Sequence, residues 1–434
     1  MKNLYLILST SMLFCCVSNK DMTTYNELIN SDNTDKVSIK KTKINHNIKT
    51  VLLHKLEDQL SLPIINLNSN EKLKLSFDDL NSEIKNLFIT IEHYNYDWST
   101  SDLMTSEYIN GFDKDEIIDY EYSFNTIQEY IHYEYIFPSN LLKPLISGNF
   151  KLKVFDINGD TLFEKKFMIL EKKVNIDLNI KQATLSADRK TKHELDFIIS
   201  HQNLLIADPF TQINVVLKQN NKEDNSINDL KPIYIKNNQL IYDYNEENTF
   251  FGNNEFRHFD IKSIRYHSDR IEKIISDSSE FNIYLSPDFK KTFNNYSIEP
   301  DLNGQFYIKS QEARNSDIES EYVNVTFRLK SNFNNYGDIY VMGKLTDWKL
   351  KKEYKLKYDF NKQQYSSTVK IKQGYYNYHY AVNDTSMKYY DIASIEGTHY
   401  QTRNNYQIYV YFKGTGDRYQ RLIGFTKAIS KELF

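Results

Sequence analysis

Cysteine is almost missing from this chain. Its 434 residues carry two, side by side at Cys15 and Cys16, so the folded part has no disulfide framework and no cysteine metal site. Glycine is also scarce, with 12 residues. There is no P-loop, G-x-G-x-x-G, G-x-S-x-G or H-E-x-x-H, which removes the common phosphate-cradling, dinucleotide, hydrolase and zinc-protease signatures. Neither sign of charge dominates. Against 54 Lys and Arg stand 58 Asp and Glu, a net charge of −4, and no basic stripe of the kind a nucleic-acid partner requires stands out. Past residue 16 no apolar run nears the roughly 20 residues of a spanning helix. What the chain does have is aromatic side chains, 34 Tyr and 26 Phe, which favour the half-buried pleated surface of β-sheets.

The N-terminus reads as an export signal. Lys2 precedes an apolar run from Leu4 to Phe14, too short to span a bilayer and the right size for a signal h-region. Leu13 stands three residues before Cys16, the spacing of a bacterial lipobox. We expect residues 1–15 to be a lipoprotein signal peptide, with cleavage before Cys16, lipidation of its thiol and attachment to the membrane through that anchor. An ordinary cleaved signal with incidental cysteines is the alternative. Residues 16–45 are polar without a sustained period and read as a flexible tether, with a reach of about 30 Å.

Period-2 alternation begins next and runs to the C-terminus. Leu73, Leu75 and Phe77 alternate with lysines and Ser76. Phe150, Leu152 and Val154 lead into Asn158–Gly159 and a return strand, the strongest local hairpin signal. Val174, Ile176, Leu178 and Ile180 open a second series, and Val323, Val325, Phe327 and Leu329 a third. One wet and one buried face is the mark of antiparallel sheets. The expected fold is all-β: tandem β-sandwiches of immunoglobulin-like or early-set type, following the signal and tether. The expected divisions are 46–172, 173–315 and 316–434, the last placed by the polar stretch Ser310–Glu321.

Candidate chemistry is thin. His258 and His267 lie near Asp260 and Asp269 without a metal-ligand spacing. Asp113, Asp115 and Glu116 do not match a calcium loop. Carboxylate pairs such as Asp78–Asp79 and Glu246–Glu247 serve a glycosidase only if they converge in a cleft. No catalytic residue, metal or cofactor is therefore expected. In the last division, DIYVMGKLTDW (Asp338–Trp348) and GYYNYHYAVND (Gly374–Asp384) resemble the early-set sandwich of glycogen-binding modules. In that family the Trp and a second aromatic form a sugar platform. Here the candidates are Trp348 and Tyr389, and they support an alternative function as a periplasmic or surface carbohydrate-binding lipoprotein.

Longer stretches carry a more specific likeness. Leu60–Leu80 (LSLPIINLNSNEKLKLSFDDL), the aromatic- and acid-rich Glu92–Tyr135, Tyr242–Tyr266 and Gly414–Phe425 (GTGDRYQRLIGF) follow one another in order. Together they resemble the Bacteroidetes type IX secretion system plug protein family, over about residues 46–425. The resemblance implies a non-enzymatic, all-β periplasmic protein that closes the periplasmic side of a large outer-membrane translocon barrel when no cargo is bound. Tyr94, Tyr96, Trp98, Phe112, Tyr120 and Tyr122 are then candidates for the partner-binding surface, since aromatics of mixed polarity suit protein interfaces. The competing reading is that they fill the core of the first sandwich.

Overall fold

The alternating segments become strands, and each strand buries the face its sequence marks as apolar. A computed structural model describes residues 47–81, 83–333, 337–383 and 390–430. The expected signal peptide, Cys16, the tether and Tyr389 lie outside them. Six main sheets pair face to face around three hydrophobic cores.

The first sandwich sets strands Ile48–Lys55, Leu73–Asp79, Ile131–Phe137 and Asp119–Tyr122, in that order, against a second sheet. The second sheet is ordered Ile64–Asn66, Thr161–Leu170, Gly148–Asp156, Leu87–Tyr94, Asp115–Ile117. Leu73, Leu75, Phe77, Leu87, Ile89, Ile91, Phe150, Leu152 and Val154 are fully buried between them. Each large side chain removed from water in this way contributes about 1.5–3 kcal/mol. The Asn158–Gly159 turn joins its strands as expected. Gly159 takes a left-handed φ of +79°. The Asp156 carboxylate accepts from the backbone N–H of Asn158 at 2.9 Å and of Asp160 at 2.8 Å, a side-chain mimic of a turn.

The other two cores depart from the expected divisions at 315 and 316. The middle sandwich pairs Asn175–Gln182, Lys192–Ser200, Gln239–Tyr242 and Tyr234–Lys236 in one sheet. Its second sheet is Ile227–Asn228, Ile213–Gln219, Asn405–Phe412 and Arg421–Ile429. Half of that sheet comes from the C-terminus. The third sandwich occupies the interval between. Arg257–Asp260 and Phe306–Ile308 flank Gly374–Asn383, which also pairs with Asp338–Met342. They face a sheet ordered Ile271–Ser276, Phe281–Leu285, Tyr322–Lys330, Gln364–Lys372 and Lys357–Asp359. Strands from 257 to 308 thus belong with the third core, and 405 to 429 with the middle one. Alternation reports that a strand has a buried face. It does not report which partner covers that face.

Buried charges lock the third core and tie it to the first. Arg257 donates through Nη1 to Asp288 at 2.8 Å and through Nε to Glu396 at 2.9–3.0 Å. The Tyr378 and Tyr380 hydroxyls donate to Asp288 at 2.6 and 2.8 Å. Burial works against the Asp288 carboxylate, but the Arg257 and Arg270 guanidiniums outweigh it and hold it below the usual carboxylate range. Between first and third sandwiches, buried Asp78 accepts from Lys372, His132 and the Tyr322 hydroxyl, each at 2.6 Å. Removing one partner from such a network strands the others. Asp288→Ala is expected to cost about 3–5 kcal/mol in a urea unfolding titration.

The junction of the first and middle sandwiches holds a titratable ring. His93 packs edge-on against Phe150 at 5.0 Å and Tyr419 at 5.5 Å. Burial pulls its pKa down from 6.5 to about 4. A depressed histidine contributes stability that is present above pH 6.5 and is lost as pH falls through about 4, because the unfolded chain takes up the proton first. The full effect is about 3 kcal/mol at 1.36 kcal/mol per unit. Stability measured by denaturant midpoint from pH 7 to pH 4 is expected to fall less steeply, by up to that amount, for His93→Gln than for the natural chain.

Candidate functional site

The segment from Gly111 to Gln128 forms the outer edge of the first sandwich and presents several apolar side chains to water, as do parts of the other sandwiches. Strand Asp119–Tyr122 pairs on one side only, with Ile131–Phe137, in the register Tyr120↔Tyr133 and Tyr122↔Ile131. Its other side carries an unpaired row of backbone donors and acceptors, a ready template for another chain. Such edges are normally blunted by charge or short length. This one is short and carries exposed Asp119 and Glu121, yet Phe112, Tyr120 and Tyr122 are 63%, 41% and 57% exposed. Ile118 and Phe124 are exposed beside them. Exposed aromatics grouped with acids, not scattered, mark an interaction surface.

The edge is held firmly although its side chains are free. The backbone N–H of Phe124 donates to the Ile318 carbonyl at 2.9 Å. The Gln128 N–H donates to Glu321 at 3.1 Å, and the Tyr130 hydroxyl to the Ser320 carbonyl at 2.9 Å. The third sandwich therefore braces the patch from behind. Tyr120 leans on Tyr133 at 5.9 Å and on Tyr122 at 6.5 Å. A pre-positioned aromatic loses little rotamer freedom on binding.

The other three aromatics expected at a partner surface are committed inside the molecule. Tyr94 is 6% exposed and donates to Glu92 at 2.9 Å. The Tyr96 hydroxyl donates to Asp229 at 2.6 Å, its N–H donates to Gln420 at 3.1 Å, and its ring meets Tyr411 at 6.1 Å. Trp98, at a left-handed φ of +65°, lies under the Lys166 ammonium at 4.2 Å. Tyr96 and Trp98 pack against a cluster of Ile64, Met168, Leu170, Val216, Tyr409, Tyr411 and Leu422 that joins the first sandwich to the middle one. The expected set of six thus divides into three that build an internal junction and three that face water. Burial against a distant segment, Tyr96 on Tyr411, has no local sequence signal.

The remaining candidates resolve into structural roles. Trp348 is half-buried, edge-on to Phe256 at 5.9 Å. A Cβ on Gly304 would come within 2.2 Å of its ring. Trp348 is wedged between neighbours and does not lie flat on the surface as a sugar platform does. Its proposed companion Tyr389 is outside the described residues. Asp78 is spent on Lys372 and His132, Asp79 pairs with Lys85, and Asp115 accepts from Tyr135 and Ser139 at 2.7 Å. His258 faces Asp269 at 3.4 Å. Two carboxylate-rich clusters have the spacing of a metal site, His132–Glu134–Asp317 and Glu194–Asp196–Asp243. Lys74 bonds Glu134 and Asp317 in the first, and Lys181 bonds Glu194 and Asp196 in the second. A cation is already supplied by the chain at both.

Comparison with known proteins places the exposed edge inside a family segment. A family model described as type 9 secretion system plug protein 1st domain matches residues 48–171. A hypothetical protein from Parabacteroides merdae, solved by crystallography, superposes with a TM-score of 0.86. It is 31% identical and covers 89% of this chain and 98% of its own. The BSP domain of a biofilm associated protein aligns at 9% identity over 90% of this chain and 60% of its own, with a TM-score of 0.15, which carries no argument. No curated protein matches the chain.

The division of the six aromatics is checked by stability. Tyr120→Ser and Tyr122→Ser are each expected to change unfolding free energy by less than about 1 kcal/mol, as exposed positions do. Trp98→Ala is expected to cost at least about 2 kcal/mol, because its ring seals the junction. Urea titrations of the three variants read the difference directly.

Proposed function

Since the chain belongs to the type 9 secretion system plug protein family, with its first domain at residues 48–171, we propose that it closes the periplasmic mouth of the outer-membrane translocon when cargo is absent. The observation that carries this reading is that the whole exposed edge, Phe112 to Phe124, falls within the matched segment. A plug needs a contact surface and no reaction centre. The acid-aromatic patch on a braced strand supplies the first. Asp78, His132, Asp288 and Glu396 are consumed by internal ion pairs.

A gate must also open. The edge strand is short, so any strand added to it gains few main-chain hydrogen bonds, and its exposed acids keep the contact polar. A contact of that kind is modest and reversible. Lipidation at Cys16 and anchoring to the outer membrane would raise the local concentration toward millimolar, which makes a modest contact sufficient. The partner is accordingly the translocon barrel, reached from the periplasm.

The test is a leak. Deleting the protein is expected to let large solutes cross the outer membrane when the translocon is present and not when it is absent. A variant with Tyr120→Ser, Tyr122→Ser and Phe124→Ser is expected to leak like the deletion while remaining folded and abundant. Leakage that does not depend on the translocon would overturn the gating reading. A tight seal with the triple variant would remove the edge from it.

A further inference from the structure

The three sandwiches do not close completely where they meet. They leave a cavity of about 650 Å³ walled by all three, within the size range of small-ligand sites. A smaller space of about 140 Å³ lies beyond Lys344 and Asp347, which line both. The charges in this region do not balance. Asp347 is approached by three ammoniums, Lys165 at 2.8 Å and Lys344 and Lys351 at 3.8 Å each. Glu223 is approached by two, Lys166 and, at 3.3 Å, Lys218. The cavity wall itself carries six lysines against four carboxylates, and Lys218 and Lys351 add two more ammoniums from beside it.

Gathering ammoniums at one cavity has a cost because neighbouring like charges repel, even with Lys166, Lys344 and Lys351 about one third exposed. Burial is the main cause that pushes the Lys166, Lys344 and Lys351 ammoniums below their ordinary value, and adjacent lysines add to it. The backbone carries a second sign. Asp347 and Trp348 are consecutive left-handed residues, at φ +53° and +57°, a conformation that L side chains seldom adopt. The turn is held there by Lys344 N–H to the Gly304 carbonyl at 2.8 Å and Trp348 N–H to the Gly343 carbonyl at 3.1 Å. Both of its side chains line the cavity.

We propose that this cavity binds a compact soluble polyanion carrying two or more phosphate groups, with Lys166 and Lys344 as direct contacts. The donor set suits phosphate: the lining supplies lysine ammoniums and no guanidinium, and a lysine ammonium binds phosphate as a point charge without needing a fixed fork. The site is independent of the exposed edge, so it stands or falls apart from the gating reading.

The experiment uses tripolyphosphate and the purified full chain at low salt, followed by isothermal titration calorimetry and thermal melting. One molecule is expected to bind per chain and to raise the melting temperature. Lys344→Gln and Lys166→Gln are each expected to weaken binding about tenfold or more. Their folding is checked by melting without ligand, since Lys166 also pairs with Glu223 and covers Trp98 and Lys344 lies beside Asp347. Lys362→Gln, on an exposed turn, should bind unchanged. Absence of binding, affinity unaltered in both cavity variants, or equal loss in Lys362→Gln overturns the site. Citrate binding as tightly as tripolyphosphate overturns the assignment to phosphate.

Discussion

The pairing of Ile213–Gln219 with Asn405–Phe412 holds the molecule's architecture together. It runs antiparallel from Ile213↔Phe412 to Gln219↔Tyr406 and closes the middle core with side chains from both ends of a long excursion. Tyr406, Ile408, Val410 and Phe412 face Val215 and Leu217 inside that core. The opposite face of the same strands presents Tyr409 and Tyr411 to the first sandwich. The whole third sandwich departs and returns between these strands. Without this ladder the middle core is open on one side, the first sandwich loses its floor, and the third loses both of its fixed ends.

A strand that is buried on both faces explains why so many tyrosines are tolerated here. Tyr406, Tyr409 and Tyr411 are almost completely removed from water, and each needs its hydroxyl satisfied. Tyr411 reaches Asn149 in the first sandwich at 2.8 Å, and Tyr406 reaches His193 in the opposite sheet at 2.7 Å. The polar tips of these residues act as fixed registers between layers. Their rings provide area, and their hydroxyls allow only one relative placement of the sheets. The Asp78–Lys372–His132 group performs the same task between first and third sandwiches, with charge in place of hydroxyls.

Much of this was legible in the chain, and the boundary of legibility has a physical cause. Strand existence and facing were readable at Leu73–Phe77, Phe150–Val154 and Val323–Leu329, because a half-buried strand writes period two into its own residues. The Asn158–Gly159 turn was readable for the same local reason. The insertion was not, since Ile408 and Val410 alternate identically whether they cover the third core or the middle one. The candidate surface divided along the same line. Phe112, Tyr120 and Tyr122 and the junction trio Tyr94, Tyr96 and Trp98 look alike in sequence, and only tertiary packing, such as that of Tyr96 and Trp98 on Tyr409 and Tyr411, separates them. The lysine cluster was invisible for a further reason. Lys165–Lys166, Lys218, Lys344 and Lys351 lie far apart along the chain, and each position passes for a solvated surface site.

The interrupted middle sandwich has a consequence for how the chain becomes a protein at all. Gln219 and Tyr406 touch although they are 187 positions apart in the chain, so closing that core is a long-range event of the slow kind. As the chain emerges from its N-terminus, the first sandwich can form early, whereas strands Lys192–Ser200 and Ile213–Gln219 must wait with one hydrophobic face open until the final hairpin arrives. During that interval the molecule is a partly built sheet with an adhesive edge, the species most prone to capture by other chains.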